Sequence, residues 1–283
     1  AEKMIGRKLR QVSRLSSNDS SSSVHLAVSG LKVRSDLAHG IDLTDISLEV
    51  RAGEVLGIAG IAGNGQIELM GALSGETGSP MAGSIRILGT DAIGLNPAAR
   101  RSLGAVFVPE ERIGHAAVAD MTLVDNSYLT GDTRMNFSHR GLIDWPAVTR
   151  FTQKVVQNFD VRTTGVDALA SSLSGGNLQK FIVGREILQQ PSLLVVSQPT
   201  WGVDAGAAAA IHEEIQRLVS AGAAVLMISQ DLDEVFLLSH RIAVISQGTL
   251  SVTTPIDEVS PEDIGLLMGV RHEVQPKVDH VAA

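Results

Sequence analysis

The stretch from Val55 to Leu73 restricts the possible folds of this chain more than any other. Val55–Ala59 is a short apolar run of strand type and Gln66–Leu73 reads as a helix; Gly60-Ile61-Ala62-Gly63-Asn64-Gly65 joins them. A glycine-rich turn between a strand and a helix aims backbone N–H groups and a helix N-terminus at an anion. In a working loop of this kind, lysine bridges the terminal phosphates and Ser or Thr holds Mg²⁺. Gln66 and Ile67 stand at those places. Losing one charge-assisted contact costs about 1.5–3 kcal/mol, so the loop alone reads equally as a turn with no ligand.

Alternation of strands and helices extends over most of the chain. Candidate strands are Val24–Val33, Ile46–Val50, Val55–Ala59, Ser84–Leu88, Ala105–Val108, Leu193–Val196, Ala224–Ile228, Arg241–Ile245 and Thr249–Val252. Helical spacing places Ile211, Ile215, Leu218 and Val219 on one face of Ala205–Ala221, and Leu178, Phe181 and Ile182 on one side of Asn177–Leu188. This order predicts an α/β fold, a largely parallel sheet with helices on both faces. The segment from about Met121 to Gln189 shows no convincing strand and reads as a helical insert. Before Val24, a basic stretch over Ala1–Arg14 leads into a Ser/Asn/Asp-rich linker at Ser16–Ser23.

A formal charge of -8 argues against a nucleic-acid groove, which needs a basic surface. It leaves nucleotide binding open, because backbone N–H groups make a local anion site whatever the net charge. With no cysteine, disulfides, thiolate metal sites and cysteine nucleophiles are excluded. The longest apolar runs, Val55–Ala62 and Ala221–Ile228, fall far short of the roughly 18 residues of a spanning helix. Membrane contact is therefore expected through a partner. His115, His139, His212 and His240 show no spacing with Asp or Glu partners that would suggest a metal site, and most of them are expected at the surface.

Four further segments carry chemistry. Leu173-Ser174-Gly175-Gly176-Asn177-Leu178-Gln179-Lys180 is a Ser-Gly-Gly turn opening a helix, with a hydroxyl, backbone N–H groups and a dipole for an anion. Leu193–Val196 runs into Ser197-Gln198-Pro199-Thr200-Trp201-Gly202-Val203-Asp204. Ile228-Ser229-Gln230-Asp231-Leu232-Asp233-Glu234 follows another strand, and Val108-Pro109-Glu110-Glu111-Arg112 a third. Alone, the segments ending in Asp204 and Glu234 read first as buried strands running into loops, and Val108–Arg112 can be a solvated acidic turn; their joint order on the right elements makes coincidence remote.

Together these motifs resemble the second, degenerate ATPase domain of a tandem ABC importer, in the simple-sugar and nucleoside branch. The resemblance spans Val24 to Gly269. It implies an ABC-type P-loop NTPase with a mostly parallel RecA-like core, an N-terminal antiparallel β subdomain and a helical insert at about 109–189. The domain would occupy 24–270. Residues 1–23, whose Met4-Ile5-Gly6-Arg7 resembles the end of a first ATPase domain, would be a tail and linker, and 271–283 a C-terminal tail.

The resemblance also implies the site. Gly60, Ile61, Ala62, Gly63, Asn64, Gly65, Gln66 and Ile67 would face nucleotide. Ser197 replaces the carboxylate of the Mg²⁺ shell, Gln198 the one that polarises water, and Gln230 the switch histidine, so no catalytic group remains in cis. Asp204 lies in the D-loop, and Glu110 takes the place of the glutamine lever that couples to the membrane domain. The adenine-stacking aromatic is missing near Leu37–His39. The chain departs from the branch at Ile67 and Trp201, and Ile67 weakens the case for metal-bound nucleotide.

In this family two domains pair head to tail. Ser174, Gly175, Gly176 and Asn177 would then close over ATP bound to the preceding domain of the same polypeptide, with Mg²⁺ at that competent site and doubtful at this one. Expected partners are that domain, membrane permease subunits and, indirectly, an extracytoplasmic solute-binding protein, with no nucleic acid. The expected place is the cytoplasmic face of the membrane, peripherally. The alternative is a non-catalytic, nucleotide-binding scaffold that docks the permease. A DNA-repair or translation ATPase is disfavoured by the acidic charge.

Overall fold

The computed structural model describes residues 22–76 and 80–269. The tail and most of the linker expected before Val24, and the tail expected at 271–283, lie outside the described residues. Along the chain come β1 (Val24–Val33), β2 (Leu43–Arg51), β3 (Val55–Ala59), α1 (Gln66–Ser74), β4 (Ala82–Ile87), β5 (Thr90–Asp91), α2 (Pro97–Ser102) and β6 (Ala105–Val108). Then follow α3 (Leu123–Met135), β7 (Ser138–His139), β8 (Leu142–Ile143), α4 (Trp145–Asn158), α5 (Gly175–Ile187) and β9 (Leu193–Ser197). The last elements are α6 (Ala205–Ser220), β10 (Ala224–Ser229), α7 (Leu232–Leu238), β11 (Arg241–Ser246), β12 (Thr249–Leu250), β13 (Thr254–Pro255) and α8 (Pro261–Gly269).

The core sheet runs β12-β11-β3-β10-β9-β6, parallel from β11 through β6, with β12 and β13 added antiparallel to β11. Its inner strands β3, β9 and β10 are buried at every position, as parallel strands covered on both faces must be. A second, antiparallel sheet has the order β2-β1-β4-β5.

Two apolar clusters divide along the strand period of two. Leu56 and Ile58 of β3 pack with Leu69, Leu73 and the antiparallel sheet, whereas Val55 and Ala59 face the side of Phe181, Ile211, Ile215 and Val235. Helices lie on both faces, as expected, and the antiparallel β subdomain shares one face with α1, because β1, β2 and β4 alternate apolar and polar residues and bury one side each.

α3, α4 and α5 build the insert on the other side, and the short β7–β8 hairpin interrupts a stretch read as purely helical. Arg185 of α5 fastens the insert. Buried to 1 % exposure, it pairs with Glu186 at 2.8 Å and donates to the carbonyls of Asn126 (3.0 Å) and Ala116 (2.8 Å). Glu186 also takes Arg101 at 2.6 Å. Burial alone would raise the Glu186 carboxyl pKa; the Arg101 and Arg185 guanidiniums outweigh it and hold it below the carboxylate range.

Candidate functional site

Helix starts leave N–H groups without intrahelical partners, and most helices satisfy some of them with a side chain. Asn96, Thr122, Asp144, Asp204 and Asp231 do so for α2, α3, α4, α6 and α7, and Ser260 for α8. Among the described residues α1 and α5 alone start without a side-chain cap, at Gly65 and Ser174. These are the two turns that the sequence marks as anion-facing.

The first turn is filled from within. The side chain of Gln66, 5 % exposed, folds back so that Oε1 accepts the Asn64 N–H (2.9 Å) and Nε2 donates to the Ile61 carbonyl (2.8 Å). Asn64 Nδ2 donates to the same carbonyl, and Asn64 Oδ1 and O take the N–H groups of Gln247 and Gly248. A side chain at Gly60 would stand 2.8 Å from Gln66 Nε2. The loop is closed by its own amide. Leu37 and His39 lie beside it in a recess of about 180 Å³ that no Phe, Tyr or Trp lines.

Ile67, 58 % exposed, opens onto a cavity of about 440 Å³ that Ser197, Glu110, Arg112 and Trp201 also line. Its carboxylates are Glu76, Glu110 and Glu111, and it has no lysine. His115 bridges Glu76 (3.2 Å) and Glu111 (3.6 Å). Partial desolvation raises the Glu110 pKa. At the end of β9, Ser197 is buried and Gln198 adopts a left-handed φ of 52°, its Oε1 3.5 Å from the Gln230 N–H. Among the described residues no three His, Cys, Asp or Glu converge in a metal-holding group. The lining fits a Mg²⁺-triphosphate poorly: Gln66 has taken a loop N–H, the carboxylates of Glu76, Glu110 and Glu111 oppose phosphate beside the single guanidinium of Arg112, and Ile67 and Ser197 put no carboxylate or Thr hydroxyl where the metal would be held.

The second turn stays open. α5 begins at Gly175, not at Asn177 as the apolar spacing suggested. The Asn177 amide is committed to Ser174 Oγ (2.9 Å) and to the Arg162 N–H (2.9 Å), so it braces the turn from behind. Ser174 and Gly175 are exposed, and the turn borders a recess of about 340 Å³ shared with Lys180 and Asp204. A side chain at Gly176 would sit 2.9 Å from the Gly202 carbonyl, so glycine is what lets residues 200–204 pack against this turn. Asp204 caps α6; the Ala207 N–H foremost, with that of Gly206, holds its pKa below the usual value.

Two connections escaped sequence reading. Glu234, 4 % exposed, gathers Thr200 Oγ1 (2.6 Å), Ser229 Oγ (2.8 Å) and His212 Nε2 (3.0 Å) around one carboxylate. His212, one of four histidines of which most were expected at the surface, is buried; its place at i, i+3, i+7 with Ile215 and Val219 was the available signal. Gln179, 2 % exposed, donates to the carbonyls of Gln198 (3.1 Å) and Pro199 (3.0 Å) and accepts from Arg112.

The profile described as ABC transporter matches residues 43–201. A nucleoside import ATP-binding protein of Lactococcus lactis is 36% identical over 95% of this chain and 52% of its own length. A ribose import ATP-binding protein of Streptomyces avermitilis is 34% identical over 96% of this chain and 50% of its own. The chain thus spans about half the length of the curated relatives it matches. By fold it is similar to an ATP-binding cassette solved as a dimer, in a post-hydrolysis state with ADP and Pi. That match has a TM-score of 0.69 at 17% identity and covers 82% of this chain and 98% of that one. Sequence profile, relatives and fold agree: the chain belongs to the ABC transporter family.

Proposed function

We propose that this chain is the second ATP-binding domain of a tandem import ATPase, with a degenerate site of its own and a signature turn that serves the preceding domain. The observation that carries this reading is the contrast between the two uncapped turns: Gln66 seals one, and Ser174-Gly175-Gly176 leaves the other open. Support also comes from relatives about twice as long, whose names specify nucleoside and ribose import. The imported solute is accordingly a nucleoside or simple sugar, delivered by an extracytoplasmic binding protein to permease subunits.

In this reading Ser174 Oγ and the N–H groups of Gly175 and Gly176 meet the terminal phosphate of ATP held by the preceding domain, where Mg²⁺ and the attacking water are managed. Donors fixed before the reaction stabilise charge as it develops. Ser197, Gln198 and Gln230 offer no base and no metal ligand in cis. The domain lies at the cytoplasmic face, docked on the permease around Glu110; among the described residues no helix is long and apolar enough to cross a membrane.

The scaffold alternative draws on the missing carboxylates at Ser197 and Gln198. Vanadate trapping in the full-length protein with its permease separates the two. One hydrolysing site per polypeptide, lost when the signature turn is blocked, is expected. Two hydrolysing sites, or hydrolysis indifferent to the turn, overturns the proposal.

A further inference from the structure

We propose that Arg112 is a positioning residue, a clasp that fixes the signature turn and residues 198–202 to the segment after β6. The inference rests on the function proposed for Ser174–Asn177 and adds to it a residue that the motifs leave without a role.

Arg112 stands two positions after Glu110, and its guanidinium spans parts of the chain far apart in sequence. Nε donates to Gln179 Oε1 at 2.9 Å, inside α5 and one turn beyond Gly175. Nη2 donates to the Trp201 carbonyl. Trp201 is 62 % exposed, so that segment is held through its main chain rather than through the indole. Nη1 occupies the space beside the signature turn: a Cβ on Gly175 would lie 2.8 Å from it, and one on Gly202 3.2 Å from Nη2. Gln179 completes the link, because its amide NH₂ is shared between the carbonyls of Gln198 and Pro199. One planar fork and one buried amide thus set the distance between the start of α5 and the loop that follows β9.

A guanidinium suits this task where an ammonium does not. Its donors diverge in a fixed plane and reach two acceptors at once, whereas lysine presents a single point on a flexible stem. Arg112 is also half-buried, and it lines the cavity that Ile67 opens onto. A displacement of Glu110–Arg112 is transmitted to the signature turn through this residue.

The test uses the full-length protein assembled with its permease, with ATP hydrolysis and thermal unfolding measured together. Arg112→Ala is expected to lower kcat about tenfold with KM for ATP nearly unchanged, since misplacement by a fraction of an ångström to 1 Å costs tenfold to a hundredfold. Arg112→Lys, which keeps the charge and most of the stem, is expected to fail to the same degree. The double variant Arg112→Ala with Gln179→Ala is expected to be no worse than the more damaging single one. Wild-type kcat in Arg112→Lys, or effects that multiply in the double variant, overturns the clasp. A Tm drop in Arg112→Lys that accounts for its lost activity also overturns it, as a structural role only. Ser174→Glu separates the two levels: if it abolishes hydrolysis while both Arg112 variants stay at wild type, the clasp alone falls. Hydrolysis that survives Ser174→Glu removes the signature reading and the clasp with it.

Discussion

α1 and α5 begin alike, each on a glycine-containing turn with no side-chain cap, and they differ in how the neighbouring amide side chain bonds the turn. At α1 the residue that would carry the phosphate-binding charge is Gln66, and its amide turns inward and bonds the loop. At α5 the Asn177 amide binds back to Ser174 and Arg162, Arg112 Nη1 stands beside Gly175, and the turn still borders an open recess. A backbone shape built for an anion persists in both places. What decides whether it remains available is one side chain and the direction in which its hydrogen bonds point.

The largest effect should come from obstructing the open turn. Gly175→Asp puts a carboxylate where phosphate is expected and within reach of Arg112. ATP-driven uptake by the full-length assembly should fall by about 10²–10³, the usual loss for a missing donor set. Gln66→Ala should change uptake less than about threefold, since the group it removes makes no contact outside its own loop. Uptake that fails with Gln66→Ala but survives Gly175→Asp would invert the comparison.

Next in size is reopening the sealed turn. Gln66→Lys with Ile67→Thr removes the internal bonds and supplies a cation and a hydroxyl. ATP binding by calorimetry should tighten about tenfold to a hundredfold, the worth of one charge-assisted contact. Hydrolysis should stay near zero, because Ser197, Gln198 and Gln230 are unchanged. No gain in affinity would show that the acidic wall of Glu76, Glu110 and Glu111 repels phosphate more strongly than the loop attracts it.

Stability should separate the turns as well. Gln66→Ala leaves the Asn64 N–H without its partner, while the Ile61 carbonyl keeps Asn64 Nδ2, and should cost about 1 kcal/mol in thermal unfolding. Ser174→Ala should cost under about 0.5 kcal/mol, less than an ordinary N-cap, since Ser174 caps nothing. Asp204→Ala, at a helix start that is capped, should cost about 1 kcal/mol at neutral pH. The Asp204 pKa is lowered in the fold, so its contribution is complete above the unfolded pKa of about 4 and is lost as pH falls through the folded one. The penalty for Asp204→Ala should therefore shrink toward pH 3, and a pH-independent penalty would assign it to packing.

The parallel core was legible because continuous apolar runs such as Leu193–Val196 and Ala224–Ile228 have little choice but to be covered on both faces. The β7–β8 hairpin was not, since strands of two residues have no periodicity to detect. The start of α5 was placed two residues late because Gly175 and Gly176 are poor helix formers held by context rather than propensity. Residue types in the two turns were read directly. The fold-back of Gln66 was not, because an amide carries no sign of which way it will bond. Arg112 and Glu234 were invisible as hubs for a different reason: their partners Gln179, Trp201, Thr200 and His212 lie 67, 89, 34 and 22 residues away.

The Arg185–Glu186 pair has a mechanical consequence. Moving α3 and the segment before it away from α5 would strip the Asn126 and Ala116 carbonyls from a guanidinium with almost no access to water, although its pairing with Glu186 on the same helix would persist. Each such bond to a charged group is worth about 1.5–3 kcal/mol, several times the thermal energy. α3 and α5 therefore behave as one solid block, and flexing is pushed toward joints without such buried bonds.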